Sequence, residues 1–176
     1  MTELDTDQFN AKNVVCLLSG GLDSPVACYT LIKMGFTPIF LYIDNNPYTC
    51  ESTRQNTIDM ARKLTEFIIP HQVAKLYIVP QGFAMSTFLK NSRKNSVRYT
   101  CIFCKRMMYR IAEKIAQVEG GCAIATGEIL GEQASQTLDN LAILHQAIKS
   151  SVVFRPLIAW DKTEVVDKAR EIGTYD

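Results

Sequence analysis

One stretch decides the fold of this chain: Val14-Val15-Cys16-Leu17-Leu18-Ser19-Gly20-Gly21-Leu22-Asp23-Ser24-Pro25-Val26-Ala27. Its first five residues are apolar and predict a buried parallel strand, and Gly20-Gly21 then predict a sharp turn. Ser24 can cap a helix whose first turn contains Pro25, where the missing N–H is harmless. A strand, a glycine turn and a helix N-terminus together direct free backbone N–H groups at one point. The stretch therefore predicts a phosphate or pyrophosphate site.

Three side chains at this turn add to the predicted anion site. Ser19 and Ser24 supply hydroxyl donors, and Asp23 can hold a magnesium ion on the bound anion. A bare Gly-Gly pair also occurs in the strand–helix turns of many α/β proteins, so the prediction depends on the whole Ser-Gly-Gly-x-Asp-Ser pattern. The Walker-type P-loop, Gly-x-x-x-x-Gly-Lys-Ser/Thr, does not occur in the sequence.

Length and composition are those of one globular domain. The chain has 176 residues, of which 47% are hydrophobic and 21% charged, enough for a substantial core. We predict a single domain over residues 1–176, with residues 1–12 as an N-terminal extension. No apolar run reaches membrane-spanning length, and the first residues are acidic and polar. With six irregularly spaced cysteines, these features predict reduced thiols, a cytoplasmic location and no membrane partner.

The alternation of apolar strands and helical patterns predicts the order of elements. Further strands are expected at residues 38–43, 75–79, 122–126 and 152–158, and helices at residues 49–65, 83–89, 101–118 and 138–148. Pro156 interrupts the last strand, which suits an edge position, and Asp161 with Glu164 predicts a capping box for a final helix. The fold class is therefore α/β, with a parallel five-stranded sheet and helices on both faces. Its ligand should bind where strands one, two and four end.

A basic segment is the second informative feature. Seven cationic residues and no acidic one lie between Lys90 and Ala112, although the net charge of the chain is only +1. Such a run can follow a phosphate backbone, but a solvated loop and helix face would have the same composition. The candidate RNA contacts are Arg93, Lys94, Arg98, Arg106 and Arg110.

The Ser-Gly-Gly-x-Asp-Ser turn resembles the PP-loop of the N-type ATP pyrophosphatases, which cleave ATP to AMP and pyrophosphate while adenylating a substrate. Two later blocks narrow the resemblance: Cys101-Ile102-Phe103-Cys104-Lys105-Arg106-Met107-Met108-Tyr109-Arg110 and Thr126-Gly127-Glu128-Ile129-Leu130-Gly131-Glu132-Gln133-Ala134-Ser135-Gln136-Thr137-Leu138. With Arg155-Pro156-Leu157-Ile158 and Asp161-Lys162, they resemble the catalytic domain of the tRNA 4-thiouridine synthetases, or tRNA sulfurtransferases. The resemblance runs from about Val14 to Tyr175.

The resemblance implies ATP-dependent transfer of sulfur to a tRNA uridine. A uridine carbonyl oxygen would be adenylated with release of pyrophosphate, and sulfur would then displace AMP, with ATP and Mg²⁺ as cofactors. The family's ATP contacts carry over onto Leu17, Leu18, Tyr42, Ile43, Lys105, Gly127 and Gln136, beside the PP-loop residues Ser19, Gly20, Gly21, Asp23 and Ser24. Without the resemblance, Lys105 would be interpreted as a solvated helix residue and Gln136 as a capping side chain.

Cys101 and Cys104 are the candidate catalytic residues of the sulfur step. In family members that carry such a pair with a third cysteine downstream, an iron–sulfur cluster is implied. The third cysteine would lie beyond Tyr175, so Cys50, on a predicted loop, is the alternative third ligand. The nearby cationic residues and the helix N-terminus are expected to favour thiolates that face the nucleotide. A metal site and direct sulfur transfer both remain open.

The family also joins a ferredoxin-like segment and a THUMP domain, which grip tRNA, to the catalytic domain, whereas about a dozen residues precede the first strand here. We therefore expect tRNA binding through the basic segment, through a homodimer, or through a separate RNA-binding (THUMP) subunit. The expected sulfur donor is a cysteine desulfurase persulfide or sulfide. The alternatives are a PP-loop enzyme that adenylates a small molecule, and an adenine-nucleotide-binding module without enzymatic activity.

Overall fold

A computed structural model describes residues 12–70 and 72–175, so most of the predicted N-terminal extension lies outside the described residues. Five strands form one parallel sheet: β1 (Asn13–Leu17), β2 (Thr37–Asp44), β3 (Lys75–Pro80), β4 (Ala123–Ala125) and β5 (Val152–Phe154). The predicted parallel five-stranded sheet is thus confirmed, with β5 at an edge. The strand ends at Phe154, so the predicted continuation through Leu157 and Ile158 is wrong. Pro156 cannot donate to a strand ladder.

Helices cover both faces of the sheet, as predicted. They are α1 (Asp23–Lys33), α2 (Glu51–Thr65), α3 (Gly82–Asn91), α4 (Thr100–Val118), α5 (Leu138–His145) and α6 (Lys162–Glu171), with a 3-10 helix at Lys94–Tyr99 before α4. Val14 and Cys16 of β1 pack with α1, α2 and α6, whereas Val15 and Leu17 pack with α4 and α5. Neighbouring residues of β1 serve opposite faces because side chains alternate along a strand.

The strand order places a ligand crevice beside β1. In the order β3-β2-β1-β4-β5, the chain builds outward on one side of β1 and then returns to build on the other. Val14 to Cys16 pair in parallel with Ala123 to Ala125, so the carboxyl ends of β1 and β4 lie next to each other. Such a reversal of strand order is the usual ligand position in open α/β sheets.

Two helix ends, the start of α6 and the end of α1, have the capping residues that the sequence indicates. The predicted capping box of α6 is confirmed, since Asp161 accepts the Thr163 N–H at 2.8 Å and Glu164 accepts the Asp161 N–H at 2.7 Å. Gly35, after α1, has a φ of 90°, a conformation that favours glycine. Over residues 12–70 and 72–175, no helix combines the length and the apolar character needed to cross a membrane.

Glu113 of α4 holds the turn that leads into β5. This side chain is buried, and its Oε1 accepts the backbone N–H groups of Lys149, Ser150 and Ser151 at 2.8, 2.7 and 3.1 Å. Burial raises the pKa of this carboxyl, but the N–H donors outweigh burial, and the pKa lies below its ordinary value. Glu113 therefore acts as a structural anion that joins α4 to the edge of the sheet.

We expect Glu113→Ala to lower the free energy of unfolding by about 3 kcal/mol, because buried N–H groups lose their acceptor. Glu113→Gln keeps one acceptor oxygen, so its free energy of unfolding should fall by less than that of Glu113→Ala. Since the folded pKa lies below the unfolded one, the pH-dependent part of the wild-type stability should be complete above the unfolded pKa and be lost as the pH falls through the folded pKa, where the protonated side chain resembles that of Glu113→Gln. Urea unfolding of the three proteins at neutral and acid pH measures this. Equal stabilities of wild type and Glu113→Ala at neutral pH would contradict it.

Candidate functional site

A cavity of 260 Å³ opens at the adjacent carboxyl ends of β1 and β4. Most of the predicted nucleotide-site residues line it: Leu17, Ser19, Gly21, Asp23, Ser24, Lys105, Gly127 and Gln136. They come from the turn after β1, from α4 and from the loop after β4, which are distant in sequence. The sequence predicted that the ends of strands one, two and four meet at one site. The ends of β1 and β4 line this cavity, whereas no residue of β2 does.

The turn after β1 leaves the first N–H groups of α1 available to an anion. Its N-cap residue, Leu22, provides no side-chain cap. The prediction that Ser24 caps α1 is wrong, because the helix begins at Asp23 and the Ser24 hydroxyl instead accepts the Ser19 N–H at 2.8 Å. The Ser19 hydroxyl lies 3.0 Å from that of Ser24 and accepts the Gly21 N–H at 3.3 Å. The two serines hold the turn in a shape that suits phosphate.

Gly127 permits the close approach of the end of β4 to the start of α1. A Cβ at this position would lie 2.8 Å from the backbone nitrogen of Ser24 and 2.8 Å from the carbonyl carbon of Asp23. Neither backbone atom can move away without shifting the helix. The residue type at position 127 thus sets the geometry of the anion site.

We expect Gly127→Ala to reduce the rate of ATP cleavage on the order of 100-fold, because a displacement of about 1 Å in a positioned site has such an effect. Val118→Ala is the comparison variant, since Val118 is 71% exposed at the end of α4 and lies outside the lining of the cavity. Pyrophosphate release measures both, and thermal melting checks that each variant folds. Wild-type activity of Gly127→Ala would show that this approach is not needed.

Glu128 is a buried carboxylate of the cavity that the sequence did not single out. It accepts hydrogen bonds from the Tyr109 hydroxyl at 2.7 Å and from Arg155 Nε at 2.9 Å, and it lies 3.3 Å from Lys105 Nζ. Burial raises the pKa of Glu128, but the Tyr109 hydrogen bond and the two cations outweigh burial and leave the pKa below its ordinary value. Glu128 stays anionic and positions the Lys105 ammonium on the cavity wall.

Lys162 at the start of α6 is a second functional candidate that was missed. Its Nζ lies 2.5 Å from Asp23 Oδ1 and 2.6 Å from Glu132 Oε1. Burial lowers the pKa of Lys162, but the two carboxylates outweigh it and the pKa is raised. Magnesium is usually held by one or two carboxylates together with substrate phosphates. Asp23 and Glu132 are carboxylates of this type, but the Lys162 ammonium contacts both of them in this structure, so the magnesium ion predicted at Asp23 remains a prediction.

Four predicted ATP contacts do not line the cavity. The Leu18 N–H donates to the Leu41 carbonyl at 2.9 Å, and Gly20 packs against Thr53, whose Cγ2 would lie 2.8 Å from an added Cβ. Tyr42 and Ile43 near the end of β2 are each 4% exposed. The assignment of these positions to the nucleotide remains a prediction.

Cys101 and Cys104 lie one turn apart at the start of α4, outside the lining of the cavity. Cys101 is exposed, whereas Cys104 is half-buried and its Sγ accepts a hydrogen bond from Gln81 Nε2 at 3.1 Å. Burial raises the pKa of Cys104, and the donors and the nearby Lys105 do not offset it. The expectation that nearby cations favour a thiolate is therefore wrong for Cys104, because burial is the larger effect.

A metal site at the cysteine pair would need ligands from other parts of the chain. Within residues 12–70 and 72–175, no three or more His, Cys, Asp or Glu side chains are grouped so that they could hold a metal ion. Cys50, the alternative third ligand, is exposed at the N-cap of α2 and forms no such group with the pair in this part of the chain. The described residues do not fit an iron–sulfur cluster, which requires more ligands than the pair provides, and we assign no reaction step to one.

The candidate RNA contacts fall into two groups. Arg93, Lys94, Arg98 and Arg110 are exposed on or beside the 3-10 helix and α4. Arg106 is half-buried and donates to the backbone carbonyl of Ile143 in α5, so part of its role is structural. Four of the five predicted cations are thus open to a partner.

Comparison with known proteins identifies the family. The profile of the ThiI family, described as thiamine biosynthesis protein, matches residues 9–176. A probable tRNA sulfurtransferase of Methanosarcina acetivorans is 42% identical over 93% of this chain and 39% of its own length. One of Bacillus subtilis is 39% identical over 95% of this chain and 40% of its own length. The chain therefore spans about two fifths of the length of these curated relatives.

Solved structures agree with this match. A 4-thiouridine synthetase in complex with RNA and ATP superposes with a TM-score of 0.86 at 40% identity, over 93% of this chain and 41% of that one. An NH₃-dependent NAD synthetase of Campylobacter jejuni has a TM-score of 0.67 at 14% identity, over 97% of this chain and 68% of that one, which shows the shared fold alone. The resemblance first carried by the PP-loop and the two later motifs extends over almost the whole chain, and the chain belongs to the ThiI family.

Proposed function

We propose that this chain is the ATP-dependent adenylating domain of a tRNA sulfurtransferase that forms 4-thiouridine. The observation that carries the proposal is one cavity that combines the PP-loop, the uncapped start of α1 and Lys105, with Lys162 in contact with the cavity residue Asp23. Support comes from the relatives named probable tRNA sulfurtransferase and from the similar 4-thiouridine synthetase, whose structure contains both RNA and ATP. The cavity residues suit a reaction in which pyrophosphate leaves.

The residues in and beside the cavity have separate roles in the first step, the adenylation of the uridine. The N–H groups of α1 and the Ser19 hydroxyl bind the departing pyrophosphate, while Lys105 and Lys162 stabilise the negative charge that develops on it. Glu128 fixes Lys105, and Asp23 with Glu132 positions Lys162. A magnesium ion held by Asp23 in place of the Lys162 ammonium would supply positive charge at the phosphate oxygens. The uridine carbonyl oxygen attacks the α-phosphorus, and the bond to the β-phosphate oxygen breaks.

In the second step sulfur attacks the activated carbon, and AMP leaves with the electron pair of the carbon–oxygen bond. Cys101 is exposed at the start of α4 and can accept the outer sulfur of a cysteine desulfurase persulfide by exchange, which leaves the desulfurase cysteine as a thiol. Sulfide, the other candidate donor, would instead attack the activated carbon directly. In our proposal tRNA binding uses the basic segment together with a homodimer or a separate RNA-binding (THUMP) subunit. A tRNA substrate places the reaction in the cytoplasm.

The test measures AMP, pyrophosphate and 4-thiouridine together. Purified protein with ATP, tRNA and a sulfide source should release AMP only when tRNA is present, and mass spectrometry of digested tRNA should detect the thiolated nucleoside. AMP release with a small molecule in place of tRNA would favour the other PP-loop enzymes. ATP binding without pyrophosphate release would favour a nucleotide-binding module. Loss of 4-thiouridine from the tRNA of a deletion strain tests the same proposal in cells.

Charge reversal in the basic segment should weaken RNA binding. Arg93, Lys94 and Arg98 are exposed, so replacing all three by glutamate should reduce the salt dependence of binding by roughly one unit of slope for each phosphate that the protein no longer neutralises. Arg62→Glu on α2 is the matched control, because its side chain is 73% exposed and lies outside this segment. Binding of tRNA over a range of salt concentrations measures the slope. An unchanged slope would place the RNA surface elsewhere.

A further inference from the structure

Three phenylalanines form an apolar surface where α3 meets α4. The rings of Phe88 and Phe103 stack with centroids 4.2 Å apart and an interplanar angle of 11°. Phe83 lies beside them and is 87% exposed. Together with Thr87 and Asn91, these rings line an open cavity of 450 Å³, which we call the aromatic surface.

The fold does not account for this exposure. Phe83 is the first residue after Gly82 in α3, and it contributes almost nothing to either buried core. Buried positions of the same helix, such as Met85, already hold α3 against the rest of the chain. Large exposed apolar surfaces mark binding sites more often than structural ones. The aromatic surface therefore fits a partner.

The charges around the aromatic surface indicate the chemistry of that partner. No acidic residue occurs in the sequence between Glu66 and Glu113, the interval that contains all three rings. Lys90 and Arg93 lie at the end of α3, beside the lining residue Asn91. Aromatic rings in a segment whose charged residues are all cationic are typical of sites that stack the bases of single-stranded nucleic acid, with the cations on the phosphates.

An aromatic ring with a cation beside it also lies in the segment between α3 and α4. The Arg98 guanidinium lies 4.8 Å from the centroid of the Tyr99 ring, and Tyr99 is 51% exposed. Both residues belong to the 3-10 helix that connects α3 to α4. The cations can contact phosphates while the rings contact bases.

Helix α4 joins the aromatic surface to the nucleotide cavity. Phe103 lines the first and Lys105, two residues later, lines the second. Residues two apart on a helix point to nearly opposite sides of it, and an α-helix is about 10 Å across with its side chains. A strand of RNA held on the rings would therefore pass around α4 to reach the site where ATP would be cleaved.

We propose that the aromatic surface binds unpaired bases of the substrate RNA by stacking, with Phe83 as the principal ring. This inference rests on the proposed RNA substrate and adds that an unpaired stretch is recognised beside the cavity. Base-paired RNA cannot present its base faces to the rings and should gain little from them. The basic segment would supply affinity for the phosphates, and the rings would supply the preference for single strands.

The test compares three substitutions at one position. Binding of a fluorescent oligouridylate and of a fully paired RNA duplex of equal length is measured for Phe83→Ala, Phe83→Leu, Phe83→Tyr and wild type. Phe83→Ala and Phe83→Leu should weaken oligouridylate binding by about 5-fold or more, the effect of losing one stacked base. Phe83→Tyr should retain binding, and duplex binding should not change. Val118→Ala is the control at another apolar residue, 71% exposed at the end of α4.

The salt dependence of oligouridylate binding distinguishes the contribution of the aromatic rings from that of the cationic side chains. Phe83→Ala should lower affinity at every salt concentration without altering the slope, because the cations that neutralise phosphates are all still present. Oligouridylate binding by Phe83→Leu at the wild-type level would overturn the proposal, as would failure of wild type to bind the oligomer. So would a wild-type dimer that Phe83→Ala converts to a monomer in sedimentation experiments, since the surface would then be covered by a second copy. AMP formation with tRNA tests the proposed function independently of this binding.

Discussion

Asp23→Ala is expected to reduce the formation of AMP and pyrophosphate on the order of 100-fold or more while leaving the fold intact. Asp23 is the only carboxylate within the glycine turn, and it contacts Lys162 at the start of α6. Its removal takes away both the proposed magnesium ligand and one of the two groups that position the Lys162 ammonium. The pair is partly exposed, so its loss should alter the free energy of unfolding little.

The matched control for Asp23 is Asp59→Ala, which removes an exposed carboxylate that pairs with Arg62 on α2. Pyrophosphate release at saturating ATP, with thermal melting of each variant, measures the effect. Lys162→Met separates the two roles of Asp23. If Asp23 acted only by holding Lys162, the double variant would be no worse than Lys162→Met alone. Near-normal pyrophosphate release by Asp23→Ala would remove Asp23 from the reaction.

Local patterns in the sequence predicted the scaffold of the site well. The run from Val14 to Leu18 was recognisable as a buried strand because its side chains serve both faces of the sheet, and Gly20-Gly21 marked the turn. Parallel alternation then predicted the meeting of strands one and four, because connections in such folds follow few rules. These signals come from residues that are close together in the sequence, so they can be recognised without knowledge of the fold.

Contacts between distant segments could not be predicted in the same way. Lys162 and Asp23 are 139 residues apart, and only the packing of α6 beside α1 brings them together. Glu128 similarly meets Tyr109 and Arg155 through the fold. The error at Cys104 has the same origin, because the sequence shows its cationic neighbours but not the burial that raises its pKa. Burial is a property of tertiary structure.

With a cysteine desulfurase persulfide as sulfur donor, Cys101→Ser and Cys104→Ser are each expected to abolish the thiolated product while leaving AMP release within about twofold of wild type, since losing a reactive group stops only the step that uses it. Neither cysteine lines the cavity in which ATP would react, so adenylation does not require their sulfur. The two positions should differ in their response to alkylation. Cys101 is exposed and should be modified first, whereas burial raises the pKa of Cys104 and slows its reaction.

Cys50→Ser is the control for this experiment, because Cys50 is equally exposed but lies at the N-cap of α2. It should retain both AMP release and thiolation. A purely structural pair would behave differently from a catalytic one: Cys104→Ser would weaken the contact with Gln81, lower the melting temperature and reduce both half-reactions together. AMP, 4-thiouridine and melting temperature are therefore measured on every variant. Thiolation at the wild-type rate in Cys101→Ser or Cys104→Ser would show that the substituted cysteine does not carry the sulfur step.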